Sequence, residues 1–446
     1  MAFHLLGLSP NNLLRGSRIQ EFGALVQLAI SATESATPKY QLYGDKILHI
    51  INSARLEDMP VRDYMLKHRI EDISVRYVED IDKRYLDYKQ LNCLYDYTDM
   101  LVMTKQTDIE TPHLEYMFID EAQDLSRLSW MLVDKMAATT KNIIIAGDDK
   151  QCIARHAAAD VETFLHLPGK VEVLEQSYRV PRCVFYVANN IVNHMHSYRK
   201  EGAVWKPRDF SGVCKEVGSL PTVPLFSKTW LLLVRSKHQS SLYTEHIFYL
   251  SKYGSIPFTL FGEPPVDMDI FRVAALFEKS KRTGLDLVEF VTLKSTDSPD
   301  QIKEKYEYIT LFKKFITCKV GARSQPWEVT QEFKDTLSNK HWLEALDKVP
   351  SNVRMYVKGL MPQYYEKGDA LFDNAPIRVT TIHQSKGSEA DNVVVLMNVP
   401  KKVKENILNN YDDEEAKVFY VAVTRAKEKL YLFIKRTESC TFKKYL

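Results

Sequence analysis

Residues 116–124 read Tyr-Met-Phe-Ile-Asp-Glu-Ala-Gln-Asp, an apolar run that stops at two adjacent carboxylates. A buried parallel strand delivers acids to the end of a sheet in this way. Asp120 at the strand tip can hold a hydrated Mg2+ beside the β and γ phosphates of a nucleotide, and Glu121 can orient and deprotonate the attacking water. Alone, this step would equally fit a strand followed by an acidic helix cap. A second apolar run, residues 142–146, enters Gly147-Asp-Asp-Lys-Gln151, which puts a turn glycine and an amide beside the first pair. Gln151 can sense a γ phosphate; by itself the segment would be a hydrophilic turn.

Two arginines extend the set. Arg179 follows Ser177-Tyr178 and precedes Pro181 and a helical stretch, and Arg425 follows the apolar helix face of residues 418–424. Either can neutralise charge on a transferring phosphoryl group, an effect worth on the order of a thousandfold or more in rate. Taken singly, each fits a surface or salt-bridge residue. The last group lies in residues 379–389, where a strand runs into Thr381-Ile-His383-Gln-Ser-Lys386-Gly387-Ser-Glu389. Its hydroxyl, imidazole and ammonium groups suit phosphodiester contacts, and Glu389 can accept a hydrogen bond from a ribose hydroxyl. His383 alone would be structural.

These residues need strands to hold them. Residues 10–91 alternate helical patterns with polar breaks and read as a helical insertion. Residues 95–179 carry short β-rich runs separated by a helix, a parallel α/β core. Strand patterns return at 230–234, 377–381, 392–396 and 429–434, interrupted by a Lys- and Glu-rich stretch at 271–373. That arrangement is a second α/β core with its own helical insertion.

Composition sets the remaining bounds. The 446 residues are 45% hydrophobic and 26% charged, ordinary for globular protein, and their length allows two to four domains. With 60 basic and 58 acidic residues the net charge is +2, so a nucleic-acid contact must come from a local groove. Six dispersed cysteines without a Cys-x-x-Cys pair disfavour a zinc site or a disulfide framework and point to a reducing compartment. Membrane-span and leader patterns are missing from the apolar runs, and the expected location is intracellular, cytoplasmic or nuclear.

Taken in order, the boxes resemble the superfamily 1 helicases of the UvrD and Rep type over most of the chain. Ile-Asp120-Glu121-Ala-Gln-Asp resembles the family's second motif, Gly147-Asp-x-x-Gln151 the third and Ser177-Tyr178-Arg179 the fourth. Thr381-Ile-His383-x-x-Lys386-Gly387-x-Glu389 resembles the fifth, Tyr420-Val-Ala-Val-Thr424-Arg425-Ala426 the sixth, and Asp96-Tyr-Thr-Asp99-Met-Leu101 the segment preceding the carboxylate strand. The resemblance implies an α/β fold of two RecA-like P-loop motor domains with helical insertions. Residues 1–9 and 92–183 would form the first motor domain, N-terminally truncated, with 10–91 as its insertion. Residues 184–270 and 374–446 would form the second, with 271–373 as its insertion. It further implies ATP-driven translocation on single-stranded DNA, usually 3′-to-5′, with ATP and Mg2+ as cofactors and single-stranded and junction DNA as partners. In that frame Asp120 binds the metal and Glu121 activates water. Gln151, Arg179, Gly387, Glu389 and Arg425 face the nucleotide. Phe3, His4, Arg155, His156, Thr381 and His383 contact DNA.

The departures are specific. No Gly-x-x-x-x-Gly-Lys-Ser/Thr loop occurs, and Gly169-Lys170 lacks the upstream glycine. Ala2-Phe3-His4 resembles the family's box downstream of that loop, so the chain is expected to start partway through the first motor domain. It would then need an upstream helicase fragment carrying the phosphate loop, and the incomplete sheet would expose unpaired edges and apolar surface. Ala154 and His156 stand where the family has stacking aromatics, and Ser177 where asparagine is common. The competing reading is a noncatalytic pseudo-helicase subunit that binds DNA or protein.

Overall fold

The computed structural model describes all residues except 1–5, 32–41, 108–109, 154–157, 196–204, 226, 251–253, 295, 318–329, 410–412 and 436–441. The chain divides into two compact units, Met1–Glu172 and Val173–Leu446.

In the first unit, helices Ser17–Leu25, Tyr43–Leu56, Val61–Lys67 and Val75–Leu91 share one core built on Phe22, Ile47, Ile51, Val78 and Ile81. Helix Val75–Leu91 shows the cause: Val78, Ile81 and Tyr85 recur at helical spacing and are buried, while most intervening residues are charged. This helical part is fastened to helix Tyr97–Gln106 by a buried ionic network. Asp96 caps that helix, with Oδ1 accepting from the Asp99 N–H at 2.7 Å while Asp99 Oδ2 accepts from the Asp96 N–H at 2.8 Å. The same two carboxylates meet Lys89, whose Nζ lies 2.7 Å from each, and Arg55. Tyr85 donates its hydroxyl to Asp96 at 3.1 Å. Burial alone would raise the Asp96 pKa, but Lys89 and Arg55 outweigh it and hold the carboxyl at about 2.

The sheet of this unit has two parallel strands, β1 (Leu114–Ile119) and β2 (Thr140–Ile145), joined through helix Arg127–Ala137, which Ser126 caps. Register Phe118↔Ile144 places Tyr116, Phe118 and Ile144 on one face, and these are 55%, 71% and 50% exposed. Apolar surface of this kind is foreign to parallel strands, which are ordinarily covered on both faces.

The second unit starts with β3 (Gln176–Pro181), expected with the first motor domain, which pairs in parallel with β4 (Lys206–Arg208). Six strands then form an all-parallel sheet, in spatial order β5 (Val213–Val217), β10 (Ala426–Phe433), β9 (Ala390–Leu396), β6 (Trp230–Val234), β8 (Ile377–Thr381) and β7 (Phe258–Leu260). The β6 sequence Trp-Leu-Leu-Leu-Val is buried throughout, the unbroken apolar run required of a central parallel strand. Helices Asp269–Thr283, Pro299–Phe315, Gln331–Asn339 and Ser351–Lys367 pack Phe271, Phe312, Phe333 and Tyr356 into one core with Trp230, Leu232 and Val379 of the sheet. No described helix is long and apolar enough to cross a membrane.

Removing a cation from the Asp96/Asp99 pair leaves buried carboxylate undercompensated. Lys89→Ala is expected to lower the unfolding free energy of the first unit by about 3 kcal/mol, read as a drop in the urea midpoint at neutral pH.

Candidate functional site

The first group of candidate residues lies at the C-terminal ends of β1 and β2. These ends are tied by backbone bonds, Ala146 N–H to Ile119 C=O at 2.8 Å and Ala122 N–H to Ala146 C=O at 3.0 Å. Asp120 is exposed just past β1, and its Oδ1 accepts from the Glu121 N–H at 2.8 Å. Glu121 sits in the left-handed region at φ 51°, ψ 37°, an uncommon conformation for a residue with a side chain and one that concentrates at functional turns. Its carboxylate accepts from the side-chain amide of Gln123, and the Gln123 Oε1 accepts from the Asp148 N–H at 2.9 Å. Gln123 is fully buried, so this amide links the turn after β1 to the turn after β2. Asp148 accepts from the Lys150 N–H at 3.0 Å and from Gln151 Nε2 at 2.8 Å, which brings Gln151 into the same chain of hydrogen bonds.

Sequence reasoning picked out Asp120, Glu121 and Gln151 but not Gln123 or Asp148, which join them. The available signal was an amide two residues past the acid pair, inside a segment too short to be a surface helix. Among the described residues no three or more His, Cys, Asp or Glu gather as a metal cage. Phe3, His4, Arg155 and His156 lie outside the described residues.

The second group lies in the second unit, where β9 and β10 begin. Ala390 pairs with Ala426, and the Ala390 N–H donates to the Arg425 C=O at 3.1 Å, so Glu389 and Arg425 enter the sheet side by side. Lys427 places its ammonium 2.6 Å from Glu389, and Arg378 donates to the Glu389 C=O at 2.8 Å. The hydrogen bond from Lys427, with the charges of Lys427, Arg179 and Arg425, holds the Glu389 carboxyl below its usual range against partial burial. Arg179, Glu389 and Arg425 therefore share one electrostatic neighbourhood, together with Lys427 and Arg378, which no motif marks. Gly387 is exposed on the preceding loop with φ 76°.

Arg425 is 1% exposed. Its Nε donates to the Val421 C=O at 3.0 Å and its other nitrogens to the Ser388 C=O at 3.3 Å and Thr424 Oγ1 at 3.2 Å. The guanidinium thus caps the C-terminal end of helix Glu414–Val423, where carbonyls lack partners and a cation opposes the helix dipole.

Thr381 and His383 fall elsewhere. Thr381 closes β8 opposite Val234, at the far end of β6 from Trp230, which pairs with Asn392 near the start of β9. Loop 382–389 therefore runs the depth of the sheet, roughly 15 Å at 3.3 Å per residue. The Thr381 hydroxyl is buried and bonded to Gln384, while His383 is half-buried.

Parallel sheets with acids past the strands of one unit and a basic cluster at the strand starts of the other define an α/β protein that fits a RecA-like helicase. Residues 12–172 match the UvrD/REP helicase N-terminal domain, and residues 329–437 match the UvrD-like helicase C-terminal domain. The chain is similar to the ATP-dependent DNA helicase PcrA of Staphylococcus epidermidis, 22% identical over 454 residues that cover 81% of this chain and 62% of the relative. A shorter match to PcrA of Bacillus subtilis is 28% identical over 149 residues, 30% of this chain and 20% of the relative. The ATP-dependent DNA helicase Rep of Buchnera aphidicola is 20% identical over 415 residues, 72% of this chain and 61% of the relative. The chain spans at most about three fifths of the length of these relatives. It belongs to the UvrD/Rep type of superfamily 1 helicases.

Two outcomes follow from this geometry. A Cβ on Gly147 would lie 2.6 Å from Gln123 Oε1 and 2.7 Å from Phe164 Cζ, so Gly147→Ala is expected to cost about 1 to 3 kcal/mol in urea unfolding. Lys427→Ala removes the largest influence lowering the Glu389 pKa, so the carboxyl should titrate at higher pH, towards the ordinary glutamate range, when followed by side-chain carbon NMR.

Proposed function

We propose that the chain carries the metal-binding, water-activating and arginine portion of an ATP-dependent DNA helicase or translocase that moves 3′-to-5′ along single-stranded DNA. The observation that carries this reading is the acid pair past β1, with Glu121 held through Gln123 to the turn that bears Gln151. The relatives' names and the order of the five motifs support it.

ATP with Mg2+ would supply the reactive phosphoryl group and its charge-neutralising metal. Exposed Asp120 suits a cation held by one or two carboxylates and substrate phosphates. Glu121 orients water and takes its proton. Gln151 reads the γ phosphate, Arg179 and Arg425 offset its charge, and Gly387 and Glu389 face the nucleotide. Phe3, His4, Arg155, His156, Thr381 and His383 are the proposed contacts for single-stranded and junction DNA.

Hydrolysis in this reading requires a phosphate-binding loop that these 446 residues do not contain. A segment bringing that loop, a strand beside the two-stranded sheet and a helix over Tyr116, Phe118 and Ile144 would also cover the bare apolar face. The second reading, a noncatalytic subunit that binds DNA or protein, draws on Arg425, whose guanidinium is committed to its own helix end.

DNA-stimulated ATP hydrolysis by the chain, alone and joined by a family-type segment bearing the phosphate loop, separates the two. Turnover is expected only in the combination, and Glu121→Gln should lower it about a hundredfold or more. A combination that forms and binds DNA yet hydrolyses nothing overturns the motor reading in favour of the noncatalytic one.

A further inference from the structure

Strand β10 is irregular where it passes Glu389. Ala426 pairs with Ala390 and Lys429 with Asn392, so Lys427 and Glu428 together stand opposite the single Asp391 of β9. Bulges of this kind re-aim side chains and concentrate beside functional sites. Here the two side chains part: Lys427 Nζ reaches Glu389 Oε1 at 2.6 Å, and Glu428 meets Lys228 at 2.6 and 2.7 Å. Three neighbours hold the irregular step. Arg208 Nη2 donates to the Lys427 C=O at 2.5 Å, Thr229 donates its N–H and hydroxyl to Asp391 at 3.1 and 2.7 Å, and a Cβ on Gly212 would lie 2.9 Å from the Glu428 carbonyl oxygen.

On the reading that Glu389 faces the nucleotide, we propose that Lys427 is a positioning residue for ribose recognition: it fixes the Glu389 carboxylate so that the remaining oxygen, Oε2, accepts from a ribose hydroxyl. The backbone around Glu389 is already pinned. Arg425 donates to the Ser388 C=O at 3.3 Å, Arg378 to the Glu389 C=O at 2.8 Å, and the Ala390 N–H to the Arg425 C=O at 3.1 Å. What remains to be ordered is the glutamate side chain, whose rotamer freedom is among the largest. Among the described residues only Lys427 bonds to its carboxylate, and the side chain is 43% exposed, open to a ligand.

The ammonium also keeps the acceptor in the state a hydroxyl needs. Its hydrogen bond is the largest influence holding the Glu389 carboxyl below its usual range, and an ionised carboxylate only accepts. A hydroxyl-to-carboxylate hydrogen bond is charge-assisted, and a site built for one rejects a ligand that lacks the hydroxyl. Lys427 immediately follows the sixth motif and belongs to none of the five. Removing its charge therefore alters recognition of the sugar and leaves recognition of the phosphates as it was.

The test measures, by calorimetry, binding of Mg-ADP and of Mg-2′,3′-dideoxy-ADP to the chain joined by the family-type segment that bears the phosphate loop. The unmutated chain should prefer ADP by about tenfold or more. Lys427→Met should cut that preference to about threefold or less while binding dideoxy-ADP as before, and Lys427→Arg should restore most of it. Glu389→Gln should lose the preference too, and Lys427→Met added to Glu389→Gln should change it by less than about twofold, because both act through one contact. Equal weakening of both nucleotides by Lys427→Met overturns the proposal in favour of a phosphate contact, and a preference that Lys427→Met leaves untouched overturns it outright. A preference that responds to Lys427 without ATP turnover counts against the motor reading alone. Turnover without any preference for ADP counts against the positioning role alone, and failure to bind either nucleotide overturns both.

Discussion

Parallel pairing is the constraint on which both candidate groups depend. Parallel strands cannot be joined by tight turns, so every connection must leave one end of the sheet and return to the other. In the second unit this sets the pairing of Ala390 with Ala426, and the residues one step earlier, Glu389 and Arg425, have no freedom to lie apart. A slip of one residue would send each side chain to the opposite face and separate Lys427 from Glu389. In the first unit the pairing of Ile119 with Ile145 does the same for the turns that carry Glu121 and Asp148. The chemistry at these turns therefore rests on backbone register more than on any single side-chain contact.

Much of this was legible in the residues. The acid pair after an apolar run, the turn glycine before Gln151 and the helices within residues 10–91 and 271–373 follow from periodicity and turn chemistry that act locally. Strands β6 and β8 occupy the residues whose patterns marked them, because each is a short β-rich run. Strands β3, β4, β5 and β7 carried weaker signals. β4 and β7 have three residues each, and β5 places Lys215 and Glu216 within its five. Such segments become strands because a neighbour offers them a ladder, information that is not local. The same holds for Gln123 and Lys427, whose partners are fixed only once two strands are adjacent.

The motif that spans Thr381 to Glu389 teaches a related point. Nine consecutive residues read as one loop with one purpose, yet they begin at one end of the sheet and finish at the other. The hydroxyl and imidazole at its start and the carboxylate at its close serve different surroundings. Sequence proximity measured along such a connection underestimates distance by the length of a strand.

Arg425 is held by the fold whatever its part in the candidate site. A buried guanidinium without partners would be costly, and here the Val421 carbonyl near the end of helix Glu414–Val423 and the Ser388 carbonyl of the preceding loop supply acceptors. The capping bonds hold the guanidinium in place, and its charge adds a small part to the lowering of the Glu389 pKa, which the hydrogen bond from Lys427 dominates. Lysine could not reproduce the arrangement, because its ammonium lacks the planar fork that addresses the Val421 carbonyl, the Ser388 carbonyl and the Thr424 hydroxyl at once. The arginine at this position thus has a place in the fold before any nucleotide is considered. Its presence in the sequence is weaker support for phosphate chemistry than the Asp120–Glu121 pair, where Glu121 keeps a left-handed backbone conformation that helix or strand formation alone would not call for.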